Sequence, residues 1–201
     1  MQRKFVGTLF AVLSLMLWAD VAPAATLAGT VVAVSGSCTA RGHALRLGDA
    51  VQVSDTVDVL AGSKLKLRMS DGSMISVGPG SSMTMASYSL DGAGRHANLL
   101  LTQGLLRIVV APVRGSSIFE VSTAVGTALV RSGSVDWFIN AQAGSAQVGV
   151  LVGNVDLTSA ATGRSVSIPA HWGTRLEAGR DPVPPRNWTV AEFDAVTQST
   201  E

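Results

Sequence analysis

Between Lys64 and Met69 the chain reads Lys-Leu-Lys-Leu-Arg-Met, a strict alternation of polar and apolar residues. That period of two belongs to a strand with one face buried and one face wet. Ser70-Asp71-Gly72-Ser73 follows with Asp-Gly at its centre, the chemistry of a hairpin turn, and Met74-Ile75-Ser76-Val77 returns. The same rhythm extends in both directions. Thr30 to Val34 is β-branched, Val57 and Val59 alternate, and Met83 to Leu90 alternates. Leu105 to Val110, Ile118 to Val121, Val135 to Ile139, Val148 to Val152 and Val166 to Ile168 continue it, punctuated by glycine. Turns recur every ~8–12 residues, the spacing of an all-β sandwich or barrel. No sustained helical period interrupts residues 26–179. The expectation is an all-β single domain of roughly thirteen short strands. It would be built as a β-roll, a short β-solenoid or a sandwich, in two similar halves joined near Gly94 to Asn98.

Both ends differ from this body. Arg3 and Lys4 precede an apolar run from Phe5 to Trp18, and Ala22-Pro23-Ala24 follows. A basic start, an apolar core and an A-x-A site make a secretory signal. The run is about 14 residues, short of the roughly 20 that cross a bilayer. The expected organisation is a signal peptide at 1–24, cleaved after Ala24 or Ala25, and a β domain at 25–180. A proline-rich linker with a C-terminal helix or tail would fill 181–201. Loss of Arg3, Lys4 and Asp20 with the signal takes the net charge from +1 to zero. A neutral chain offers no field to gather nucleic acid, and no later apolar run has membrane-spanning length. Cys38 is the single cysteine, so no internal disulfide can form. At the other end, Thr189-Val190-Ala191-Glu192 fits a capping box. Trp188 and Phe193 flank it as a hydrophobic staple. The segment from Val190 to about Gln198 is either a short helix packed on the β domain or a frayed tail, since so short a helix is marginal alone.

Several short pieces recur in order. They are Thr30-Val31-Val32-Ala33-Val34-Ser35-Gly36, Leu47-Gly48-Asp49, Ala61-Gly62-Ser63 and Met69-Ser70-Asp71-Gly72-Ser73. Gln103-Gly104-Leu105-Leu106-Arg107, Phe119-Glu120-Val121-Ser122-Thr123, Leu129-Val130-Arg131 and Val152-Gly153-Asn154-Val155 follow. In order and spacing the chain resembles the periplasmic FecR-type domain family over about Leu27 to Gly179. In that family the domain follows a cytoplasmic anti-sigma segment and one membrane helix, and receives a signal from an outer-membrane transporter. The resemblance therefore implies a non-enzymatic protein-interaction and signal-sensing module of the bacterial cell envelope, periplasmic or secreted. This chain departs from the pattern in carrying a cleavable signal where the family has the anti-sigma segment and the membrane helix. It also lacks the Thr-Pro usual near Thr123-Ala124, and Ser132 interrupts the Arg-Gly-Thr usual near Arg131-Ser132-Gly133.

The residues themselves supply little catalytic chemistry. His43, His96 and His171 are isolated and have no metal-ligand spacing, and no cofactor loop occurs. Asp49, Asp55 and Asp58 are close in sequence but flank turns. No enzyme, metal or cofactor is expected. The candidate partner contacts are Lys64, Lys66 and Arg68, which share the polar side of one strand, and Arg131 in its turn. Trp172 beside Gly173 is the candidate for an envelope glycan or small ligand, the alternative reading. An envelope protein is the expected partner.

Overall fold

The computed structural model describes residues 26–131 and 133–201. The expected signal at 1–24 lies outside the described residues, as does Ser132 of the Arg131 turn. The chain runs β1 (Leu27–Ser35), β2 (Cys38–Ala40), β3 (His43–Ala44), β4 (Ala50–Gln52), β5 (Thr56–Val59) and β6 (Lys64–Met69). It continues β7 (Met74–Val77), β8 (Ser81–Asp91), β9 (Gly94–Val110), β10 (Ser116–Ser122), β11 (Gly126–Val130) and β12 (Val135–Gln142). Last come β13 (Ser145–Val152), β14 (Asn154–Ser159), β15 (Ser165–Pro169), β16 (Trp172–Glu177), β17 (Arg186–Asn187) and α1 (Val190–Thr200). The all-β expectation holds. The strand number exceeds it because two-residue strands such as β3 and β17 carry no periodicity to detect.

Backbone pairing sorts the strands into two layers that share β9. The first layer has the order β4-β1-β6-β7-β9-β12-β13-β16-β17. The second has the order β3-β2-β5-β8-β9-β10-β11-β14-β15. Apart from the exchanges β4/β1 and β3/β2, strand number rises along both layers. Successive hairpins are thus added to one growing end, which makes a two-layer roll open at both ends. β9 has 17 residues and runs through the expected joint at 94–98. It changes layer at Gly104, whose φ is +95°. A Cβ there would collide with Ser81. The Ser81 hydroxyl instead accepts a hydrogen bond from Leu105 N at 2.9 Å, repairing the ladder where the strand bends.

Alternation fills the space between the layers. Leu65, Leu67 and Met69 point inward with Val57, Val59, Met83, Met85, Leu99, Leu101 and Trp137, and all belong to one core. Lys64, Lys66 and Arg68 accordingly face out. Cys38 is buried, and burial pushes its thiol pKa up. One ion pair is sealed inside: Asp71 of the Asp-Gly-Ser turn grips Arg95 of β9, with both side chains inaccessible. Nearby Tyr88 is pushed up to about 12, first by burial and then by the Asp71 charge.

The open ends of the roll are blunted. The first layer ends in β4 and β17, three and two residues long. The second ends in β3, two residues long, and in β15, which stops at Pro169. Short edges and an edge proline discourage strand addition.

Candidate functional site

Lys66 and Arg68 lie on the outer face of the first layer. One row crosses it through Lys66, Ser76, Arg107, Phe138, Gly149, Gly173 and Arg186, each opposite the next on neighbouring strands. The two glycines open a trough in its middle. A Cβ on Gly149 would overlap the Phe138 ring, and one on Gly173 would overlap the Trp188 indole. The rings therefore pack directly against bare glycine backbone. Phe193 closes the cluster, with centroids 6.1 Å from Phe138 and 5.5 Å from Trp188. Leu105, Leu151 and Val196 pack around these three, apart from the main core.

Helix α1 is the docked helix of the two expected alternatives. Its capping box is complete: Thr189 Oγ1 accepts from Glu192 N, and the Glu192 carboxylate accepts from Thr189 N. Arg186 also donates to Glu192, at 2.5 Å. Together these hold the Glu192 carboxyl at about 2, the Arg186 hydrogen bond being the larger cause. A carboxyl held below its unfolded value of ~4.3 supports the fold fully above that pH. The support is lost as pH falls through about 2. A side-chain NMR titration should find Glu192 ionised at pH 3.5; a midpoint of 4 or above would contradict this geometry.

The candidate contacts fall at separate places. Lys64 Nζ donates to Gln198 O at 2.8 Å, so it caps the end of α1. Lys66 is half-buried and Arg68 exposed on the same face. Arg107 joins them, with two hydrogen bonds to Asp136 at 3.0 and 2.9 Å and Glu201 3.8 Å away. Sequence reasoning missed Arg107 as a site residue, although its outward place between Leu106 and Ile108 was readable from the alternation. Trp172 opens β16 and is 38% exposed. Five strand spacings separate β16 from β6, about 24 Å at ~4.8 Å each. Arg131 follows β11 in the second layer, exposed and 3.9 Å from Asp156. The basic strand, the Arg131 turn and Trp172 thus do not form one site.

The carboxylates have structural partners. Asp55 pairs with Arg41 and accepts from Gln52 N. Asp58 accepts from Ser82 Oγ at 2.6 Å. Among the described residues no cluster of His, Cys, Asp and Glu is placed to hold a metal ion. No helix among them is long and apolar enough to cross a membrane.

Comparison with known families matches residues 55–156, just over half of the chain, to the family described as FecR protein. Among solved structures, two crystal structures of a candidate anti-sigma factor from Parabacteroides distasonis ATCC 8503 share the fold. Their TM-scores are 0.57 and 0.55 at 16% identity, over 71% of this chain and 64% of that one. The chain therefore spans less than two thirds of the length of those relatives. Comparison with curated proteins returned no match.

Proposed function

The chain belongs to the FecR protein family, and from that premise we propose that it is a non-enzymatic interaction and signal-sensing module of the cell envelope. Residues 1–24 export it to the periplasm or beyond, residues 25–180 form the sensing body, and residues 181–201 form a linker and strap. The family match across β5 to β14 carries this reading, and an envelope protein is the partner. With the edge strands blunt, side chains on a face make the contact rather than added strands. Lys66 and Arg68 are the residues of choice, because Lys64 is engaged by α1. Arg131 offers a second, separate contact on the other layer.

Cross-linking of the protein in envelope fractions, followed by capture, tests this. A specific partner should be captured by the wild-type protein and lost with the double variant Lys66→Ser/Arg68→Ser. Both side chains lie outside the core, on the wet side of β6, so the variant should fold. Equal capture by both proteins would discard this face. Turnover of an envelope substrate that is lost on changing Asp55, Asp58 or a histidine would discard the non-enzymatic reading.

A further inference from the structure

Beside the aromatic trough, the next row of the first layer has different chemistry. Leu105, Asn140, Gln147 and Arg175 stand opposite one another on β9, β12, β13 and β16. Gln142 and Ser145 face each other one row further on. Their chain neighbours Ala141, Ala146, Val148 and Leu176 are in the core, so this row points outward. Asn140, Gln142, Ser145, Gln147 and Arg175 line a cavity of about 180 Å³. A second cavity of about 290 Å³ shares Gln147 and Arg175 and continues to Pro184, Arg186 and Trp188. The two make one groove along the flank of the docked C-terminal segment.

The polar side chains around the smaller cavity are unused. Gln52, Asn98, Gln103 and Asn154 engage their side-chain amides with protein partners. None of the five residues around the smaller cavity makes a side-chain hydrogen bond among the described residues, and Arg175 comes no nearer than 3.7 Å to Glu177. Asparagine is disfavoured within strands, yet Asn140 sits well inside β12. The groove is also electrically balanced: Arg175 faces Glu177, and Arg186 is bound to Glu192. These neighbouring carboxylates offset the pull of the two guanidiniums on a polyanion. Across this face β12 is paired on both sides by β9 and β13, and β13 by β12 and β16. A peptide laid there would find no main-chain partners.

Asn140 and Gln147 set two amides, each a donor beside an acceptor, ~4.8 Å apart on neighbouring strands, with Arg175 as a further donor next to them and Gln142 two residues along β12. Such an array suits vicinal hydroxyls, which also donate and accept side by side. We propose that this groove binds a neutral, hydroxyl-rich oligosaccharide, with Asn140, Gln147 and Arg175 as its contacts. The site goes beyond the protein-partner face and does not depend on it. It also differs from a site at Trp172, whose side chain lines neither cavity.

Titration of the purified protein with chitotriose, cellotriose, maltotriose and trigalacturonate, followed by NMR shift changes, tests the proposal. At least one neutral trisaccharide should bind. Gln147→Ala and Arg175→Ala should each weaken it about tenfold, the loss of one good hydrogen bond, while Trp172→Ala leaves it unchanged. Unchanged urea midpoints for the exposed Gln147 and Arg175 variants would show that they fold, and Asn140→Ala supplies a third reading. The proposal is overturned if no neutral trisaccharide binds, if trigalacturonate alone binds, or if the variants bind as wild type. Weakening by Trp172→Ala alone would equally overturn it.

Discussion

Asp71→Ala is expected to cost about 3–5 kcal/mol of unfolding free energy, the typical loss when one partner of a buried ion pair is removed. Asp71 and Arg95 have fully inaccessible side chains. Arg95 Nη1 also donates to Ser73 Oγ at 3.1 Å and to the Ala111 carbonyl at 2.9 Å, and Nη2 donates to Ser117 Oγ. The guanidinium lies 5.5 Å from the centre of the Phe119 ring. Asp71 in turn accepts from Ser73 N at 2.9 Å and Ser73 Oγ at 2.8 Å, which fixes the β6–β7 turn. Without Asp71 the cation stays in the interior with no countercharge. Urea unfolding should show a lower midpoint at unchanged slope. The double variant Asp71→Ala/Arg95→Met should recover much of the loss, because an apolar pair of similar volume often matches a buried ion pair. A single-variant cost below about 1 kcal/mol, the scale of an exposed pair, would mean that the pair is not sealed as described.

Asp71 also shows where the sequence stops being readable. Asp-Gly at the centre of a turn is a local signal, and the β6–β7 hairpin is where that signal put it. The partner of the same carboxylate lies 24 residues on, and nothing in the spacing announces Arg95. The other elements divide in the same way. Leu65, Leu67 and Met69 were legible as core because burial in a strand alternates. The α1 cap was legible because Thr189 and Glu192 are three residues apart. Gly104 looked like one more turn glycine, and its role in carrying β9 between layers depends on contact with Ser81. Lys64 looked equivalent to Lys66 and Arg68 until a contact 134 residues away distinguished it. The amide groove is harder still. Asn140, Gln147 and Arg175 come from three strands, and only the register of β12, β13 and β16 brings them into one row.

Trp188→Ala should detach α1 and leave the β roll folded. Trp188 is 7% exposed and covers Gly173, with its ring centre 5.3 Å from that of Phe138. Truncating a buried aromatic typically removes about 3–5 kcal/mol. Helix α1 itself has little else to hold it: Phe193, Val196, the Lys64 bond to Gln198 and the Arg107–Glu201 pair, whereas β17 is fastened to β16 by backbone pairing. An undocked helix of 11 residues is marginal in water, so losing the anchor also melts the helix. The cost is confined to the strap, because Trp188, Phe138 and Phe193 form a cluster apart from the main core. Hydrogen exchange should therefore show lost protection over residues 190–200 and unchanged protection in β6, β9 and β12. Gly173→Val should do the same by a different route, since its side chain would occupy the place of the indole. Val190→Ala, at a position 75% exposed, should do neither. If Trp188→Ala unfolds the roll in a single transition, or leaves α1 protected, the strap is not the separable unit that its two-cluster packing implies.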